Sequence, residues 1–474
     1  MNSLKKVVDA PSIRNNDPYT WIIFGMLFFM ACDEEDLFSD SKTSQKDYYE
    51  VVAANEIGSL PHIYIDTDGK EIVDEPKIPA TFEIQKNQEV IEKHFIGIEI
   101  RGASSQFLEK KSYGFETWDE QGKDLNVGLA GYPEEEDWIL HGPYIDKTLI
   151  RNVLMYDLSN QIGRYATKTS FYDVTINSQY LGVYVLMEKI KRDKNRVDIK
   201  KVKDDDITGG YIIKIDKTNN DEIKFIGELG WKSKYTPWGV LRDEISQRDI
   251  HFLYEYPDAD DIKQEQKQYI QNYFEDFEKV LMSDELKDAE IGYRQYIDVD
   301  SFVDYLLLNE LSRNIDAYRI STYMYKENKN GKLFMGPIWD FNLAFGNADY
   351  CRAESTTGWS FEFNSVCPQD HWLVPFWWSR LLSDPYFAGK VRQRWKELRS
   401  SVFSFQAISK RIDTNYRYIK SHGGFRKNFT RWKILGKRIQ PNFYVGNNHH
   451  EEYQYLKDWI LKRTLWMDSA IENL

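Results

Sequence analysis

The spacing of apolar residues changes character part-way along this chain, and that change limits the folds open to it. In "LPHIYIDT", "KKSYGFETW" and "SFYDVTINSQYLGVYVLMEKI" apolar residues alternate, as on strands with a buried face. The last of these reads as a hairpin turning at Asn177 and Ser178. "EVIEKHFIGIEIRG" reads as a further strand pair and "GGYIIKID" as one more strand. "TLIRNVLMYDLSNQIG" is an early helix stopped by Gly163. Beyond residue 257 the spacing turns helical, in "IKQEQKQYIQNYFEDFEKVL" and in "DVDSFVDYLLLNELSRNIDAY", which has Asp298 or Asp300 as its N-cap. Two strands, "STYMYKE" and "KLFMGPIWDFN", follow around the turn "NKNG", and after residue 370 the chain is mostly helical. Strands first and helices later define an α+β protein. We expect a strand-rich N-terminal lobe over about 56–215 and a helix-rich C-terminal lobe over about 216–474, with the ligand site in the cleft between them.

Composition narrows the function. The net charge is −13, which disfavours nucleic acid as a partner because phosphate contacts need a basic footprint. Aromatic residues make up 15% of the 474 residues, enough to fill a large core. "PFWWSR" is read as part of that core; exposed, it would be a binding patch. The histidines show no HExxH spacing, so a zinc site has little support, and no GxSxG elbow marks a serine hydrolase. A glycosidase carboxylate pair is compatible with the composition, but 75 acids single out no pair.

The N-terminus carries a targeting signal. Lys5, Lys6 and Arg14 precede the short apolar run "WIIFGMLFFMAC". The run is too short to span a bilayer as a mature helix and reads as a cleaved secretion signal over 1–31. "FMAC" resembles a bacterial lipoprotein box, with Cys32 as the lipidated first residue. The acidic "DEED" after it resembles the surface-export signal of Bacteroidetes lipoproteins. Residues 32–55 are polar and read as a flexible tether. The expectation is an exported lipoprotein of the outer membrane, presented at the cell surface and held to the membrane by its lipid anchor. With one cysteine lipidated, Cys351 and Cys367 remain to pair in an oxidising compartment.

Several polar residues stand in apolar surroundings. Gly102 to Ser105, with Ser104 and Ser105, form a small-residue turn ahead of a strand bearing Lys110 and Lys111. Backbone N–H groups of such a turn can hold phosphate, and a strand lysine can neutralise it. Glu188 ends an apolar strand. Asn314 and Asp316 follow the apolar helix, and the returning strand brings Asp340 and Asn342. Two carboxylates sharing a cleft repel unless a cation or a proton lies between them. Mg²⁺ takes such hard oxygen ligands, so Asp340 as metal ligand, Asn342 as a neutral donor and Asp316 as base form a coherent set.

Six ordered blocks together resemble the CotH family of spore-coat-protein-H-like atypical protein kinases, in a Bacteroidetes lipoprotein form. They are "RGASSQFLEKKSYGFE", "DWILHGPYIDKTLIRNVLMYDL", "YLGVYVLMEKIKRDKNRVDI", "GGYIIKID", "NELSRNIDAYRISTYMYK" and "GPIWDFNLAFGN". The resemblance implies a two-lobed protein-kinase-like fold over 56–474 that binds ATP and Mg²⁺. It also implies phosphorylation of serine or threonine on an exported protein. Carried over, Lys110 (or Lys111) contacts the nucleotide phosphates, Glu188 lies near the adenine, Asp316 is the catalytic aspartate and Asp340 the metal-binding one. The chain departs from the pattern at Asn342, where many relatives have an acid, and near Ser321, where many have asparagine. A catalytically weak surface binding protein or adhesin on the same fold is the competing expectation.

Overall fold

The computed structural model describes residues 57–218, 226–235, 237, 249–328 and 331–474. The signal, Cys32, the tether and two residues of the "NKNG" turn lie outside them. The first sheet is a closed barrel of seven strands: β1 His62–Asp66, β2 Ile78–Lys86, β3 Glu89–Arg101, β4 Ser112–Trp118, β5 Asp137–His141, β6 Thr169–Ile176 and β7 Gln179–Glu188. Its order is β1-β2-β3-β4-β5-β7-β6, closed by parallel pairing of β1 with β6. Ile63, Phe82, Ile98, Phe115, Trp138, Tyr184 and Leu186 fill the interior. "EVIEKHFIGIEIRG" is one strand, β3, not a pair. Asn87 and Gln88 take positive φ and turn the chain from β2 into it, so the hairpin partner lies upstream. Asn177 and Ser178 also have positive φ and make the tight β6–β7 turn expected of them.

The second sheet has five strands in the order β12-β11-β8-β10-β9: β8 Tyr211–Ile215, β9 Gly230–Lys232, β10 His251–Tyr256, β11 Thr322–Lys326 and β12 Leu333–Met335. It packs with the helices: α1 Arg151–Gln161, α2 Gln264–Met282, α3 Val299–Ser312, α4 Trp377–Leu382, α5 Pro385–Arg399, α6 Phe405–Ser421, α7 Gly424–Arg431 and α8 His449–Ala470. The protein is α+β. Helix α3 is buried on nearly every side, as its composition demands, and Asp298 caps it by accepting the Ser301 N–H at 2.8 Å. Trp377 and Trp378 are buried, so "WW" is core. Strand β7 is buried on both faces. Tyr184 and Leu186 face the barrel interior, while Val183, Val185 and Met187 pack into the main core.

The strand expected through "KLFMGPIWDFN" ends at Met335. Gly336 takes a positive φ and Pro337 has no N–H for the ladder, so residues 336–341 leave the sheet as a loop. Asp340 is therefore a loop residue. Its own φ of 60° is in the left-handed region.

Candidate functional site

Two backbone segments meet at the edge of the second sheet. The first follows α3. Arg313 ends the helix in a left-handed conformation and Asn314 follows it. The Asn314 side-chain amide donates to the Asp340 carbonyl at 3.1 Å, and its oxygen accepts the Asp316 N–H at 3.3 Å. One buried side chain thus ties the Asp316 loop to the Asp340 loop. The second segment is held from below by α1. The Asp340 N–H donates to the Tyr156 hydroxyl at 3.2 Å, and the Phe341 N–H to Asn152 at 2.7 Å. Arg151 donates from Nε to the Ala344 carbonyl at 3.1 Å while paired with buried Asp146. Every anchor fixes backbone, which leaves the Asp340 carboxylate for the cleft.

That cleft is lined by Arg101, Gly102, Ser105, His141, Asn152, Tyr156, Met187, Trp339, Asp340 and Asn342, among others. Its enclosed part is about 110 Å³. That enclosed part has room for a phosphate group and an ion, so the rest of a nucleotide would extend beyond it, since small-molecule pockets start at roughly 300 Å³. Burial pushes the Asp340 carboxyl up to about 7; the negative charges of Asp316 and Asp216 add to the shift, and Lys217 and Arg101 oppose it. Burial also raises Asp216, against Lys214 and the N–H groups of Lys217 and Ser321. Three carboxylates, from β8, from the end of α3 and from the loop after β12, therefore share one electrostatic neighbourhood. Among the described residues they do not converge within 4.8 Å of one another, as Glu135, Glu136 and Asp137 do.

The structure brings some expected residues here and not others. Asp316, Asp340, Asn342 and Ser105 are at the cleft or beside it. Gly102 is required, because its φ is 104° and a Cβ would lie 2.0 Å from Ser105 Oγ. Ser104 opens the one-turn 3₁₀ segment Ser104–Phe107. Lys110 is a correction. Its ammonium is buried behind the barrel, donating to the Val183 carbonyl at 2.6 Å and to Asn428 Oδ1 at 2.9 Å, over the Tyr184 ring. Burial holds it well below the usual lysine range. The Lys111 ammonium donates to the Gln106 carbonyl, behind the Gly102–Ser105 turn. Glu188 is a second correction. It shares strand parity with Tyr184 and Leu186, opposite the cleft-lining Met187, and its carboxylate accepts the Lys168 N–H at 2.9 Å and the Tyr165 hydroxyl at 3.3 Å.

Among the described residues that line the cleft the cation is Arg101, at the end of β3, whose guanidinium lies 5.7 Å from the Trp339 ring centroid. Sequence reasoning passed over Arg101, although it directly precedes the Gly102 turn. It also passed over Asp216, which ends "GGYIIKID", and over Asn152 and Tyr156, four residues apart on one face of α1.

A family model described as "CotH kinase protein" matches residues 98–467, from the last residues of β3 to the last turn of α8. The chain belongs to this CotH family. It is also 22% identical, over 365 residues, to the inner spore coat protein H of Bacillus subtilis (strain 168), covering 74% of this chain and 82% of that protein. All the residues gathered at the cleft of this CotH-family protein fall inside the family match.

A further network steadies Asp316. Arg319 donates to its carboxylate at 2.9 Å, and reaches Asp370 and the Trp372 carbonyl at 3.2 Å each. Asp370 donates its N–H to the Cys367 carbonyl at 3.1 Å, and Cys367 is disulfide-bonded to Cys351. The expected cysteine pair is thus present, three links from Asp316.

Proposed function

We propose that this CotH-family protein binds a nucleoside triphosphate, ATP by the family resemblance, with Mg²⁺ in the cleft between Arg101 and Asp340. We further propose that it transfers phosphate to a serine or threonine hydroxyl of an exported protein. The observation that carries the reading is the approach of Asp316 to the cleft residue Asp340, close enough for its charge to act on that carboxyl, on loops tied together by Asn314. Asp340 and the Asn342 amide oxygen are the residues that would hold the ion. Bound Mg²⁺ supplies positive charge to the phosphate oxygens. Arg101 adds a second positive charge from the barrel side, the role that buried Lys110 cannot fill. Asp316, oriented by Arg319, accepts the hydrogen bond of the attacking hydroxyl and aligns it. Phosphoryl transfer asks for little more than this positioning and charge.

Export as a lipoprotein anchored through Cys32 belongs to the same proposal. The signal-like residues 1–31 support it, and so does the Cys351–Cys367 pair, a bond that persists in oxidising compartments. Mass spectrometry of the mature N-terminus tests it: a diacylated Cys32 is expected, and an unmodified or unprocessed terminus would refute it.

Thermal stability with and without ATP and Mg²⁺ tests the nucleotide site. A ligand that binds only the folded state raises the melting temperature. The rise should require the metal and disappear in Asp340→Ala. A second reading, a surface binding protein that transfers no phosphate, is favoured by Asn342 and by the burial of Lys110 away from the cleft. Metal-dependent nucleotide binding without transfer to any exported protein would select it.

A further inference from the structure

An open basin of about 520 Å³ lies between the barrel and α7 and shares no lining residue with the Asp340 cleft. His62 of β1, Asp173 of β6 and Tyr180 of β7 form its barrel side, and Arg426, Lys427 and Arg431 belong to its α7 side. The polar atoms of the barrel side are spent inside the protein. His62 Nε2 shares a hydrogen bond with Thr175 Oγ1 at 2.8 Å, and the Tyr180 hydroxyl donates to buried Asp173 at 2.7 Å. What that side offers a ligand is ring surface, with the His62 and Tyr180 centroids 6.2 Å apart.

The α7 side is cationic. Lys427 is neutralised by Asp173 at 2.9 Å. Arg431 is not: its Nε donates to the Tyr180 carbonyl at 3.0 Å, its guanidinium lies over the Trp432 ring, and it forms no ion pair among the described residues. The surrounding chain reinforces that charge. Residues 410–438 hold ten lysines and arginines against one acid, Asp413, in a chain whose net charge is −13. Flat rings beside a guanidinium without a carboxylate fit a ligand that carries aromatic rings and carboxylates together.

The chain itself carries such a stretch. Residues 33–56 hold eight acids and two lysines, and "DYYE", residues 47–50, is where tyrosines and acids come together in them. The described chain begins close to the basin. The Ile57 N–H donates to the Ser421 carbonyl, at the end of α6, at 2.7 Å, and α7 starts soon after, at Gly424. From Ile57 back to Glu50 the chain can reach up to about 25 Å, whereas the whole of α7 is about 12 Å long.

We propose that this basin is the seat of residues 47–50 of the same chain, with Tyr48 and Tyr49 against the His62 and Tyr180 rings and the acids Asp47 and Glu50 turned to Arg431. The seat leaves residues 33–46 as the link between the domain and Cys32, and so sets how far the domain stands from whatever holds its N-terminus. It does not depend on the nucleotide reading.

The test is photo-crosslinking in the full-length protein, with p-benzoylphenylalanine in place of Tyr49 and mass spectrometry of the products. Cross-links within one chain are expected to peptides that hold His62, Tyr180 or α7. Asp47→Lys together with Glu50→Lys should cut their yield at least fivefold. Arg431→Glu should do the same, and combining it with the two lysine substitutions should restore the yield, an exchange that misfolding cannot mimic. Should Arg431→Glu fail to fold, the lysine variant alone decides. No cross-link to these peptides would overturn the proposal. So would cross-links formed only between chains, which would assign the basin to a second copy, or a yield indifferent to the charge reversals.

Discussion

Two cations near the barrel have opposite fates, and they give the sharpest residue-scale test. Lys110 is enclosed with Val183, Asn428 and the Tyr184 ring, whereas Arg101 lines the Asp340 cleft. On the proposed function, Lys110→Met should therefore preserve a metal-dependent nucleotide shift, and Arg101→Met should abolish it. Melting curves of the two variants with ATP and Mg²⁺ decide the matter; the reverse pattern would return Lys110 to the site. A second residue tests electrostatics alone. Glu278 is buried, accepts from Ser233 Oγ and from Trp377 Nε1 at 2.9 Å, and burial pushes its carboxyl up to about 7. Its folded value exceeds the unfolded one, so folding favours the protonated form. That stability is complete below the unfolded carboxylate range and is lost as pH rises through about 7. Glu278→Gln should then be more stable than wild type at alkaline pH, by on the order of 2 kcal/mol, with the advantage gone in acid. Urea melts across the pH range measure the difference. Asp316 and Asp340 were legible in the sequence because each is an acid stranded in an apolar stretch. The fate of Lys110 was not, because alternation along a strand gives a side chain's face but not the partner waiting behind it. Here that partner is Asn428, more than three hundred residues away.

At the scale of elements, regular patterns were readable and their interruptions less so. Helix α3 and the β6–β7 hairpin follow directly from apolar spacing and from turn residues that accept positive φ. The strand β12 was overextended because apolar residues continue past Gly336–Pro337, where the backbone can no longer pair. β3 was split because its pattern is long enough for two strands of ordinary length. The segment joining the Asp340 loop to α4 shows how an irregular stretch can still be specified. The Cys351–Cys367 bridge closes it, Cys367 holds Asp370, and Asp370 with the Trp372 carbonyl holds Arg319 against Asp316. Replacing both cysteines by alanine should cost about 3 kcal/mol of stability by loop entropy. On the proposed function the chemical step should suffer more than nucleotide affinity, because the slackened network orients Asp316 and not Asp340, the proposed ion ligand. Parallel measurement of nucleotide affinity and of single-turnover transfer shows the split; equal losses in both would place the bridge outside the Asp316 network.

Across the whole molecule, the barrel and the helical part are closed onto each other by buried polar contacts. Asn428, on α7, accepts from the Val183 N–H at 3.1 Å as well as from Lys110. Trp432 donates to the Leu181 carbonyl at 2.7 Å, and Lys427 pairs with buried Asp173 at 2.9 Å. Gly182 makes this approach possible, since a Cβ there would lie 2.5 Å from Asn428 Oδ1. Behind these contacts the outer face of β7 sinks Val183, Val185 and Met187 into the helical core. A barrel separated from α7 would expose that face and leave the Lys110 ammonium with only one of its two acceptors, the Val183 carbonyl, an arrangement costlier than a lost surface contact. The barrel and the helical part should therefore unfold together. Urea denaturation should give one transition, coincident by tryptophan fluorescence and by far-ultraviolet circular dichroism, and residues 57–210 expressed alone should not fold. Asn428→Ala should move the single transition to lower urea, at a cost of about 3 kcal/mol, without dividing it. Two separated transitions, or a folded isolated barrel, would mean that the contacts around Lys110 decorate an interface between independent units. The Asp340 cleft would then have to be assembled by docking of the two units after each had folded.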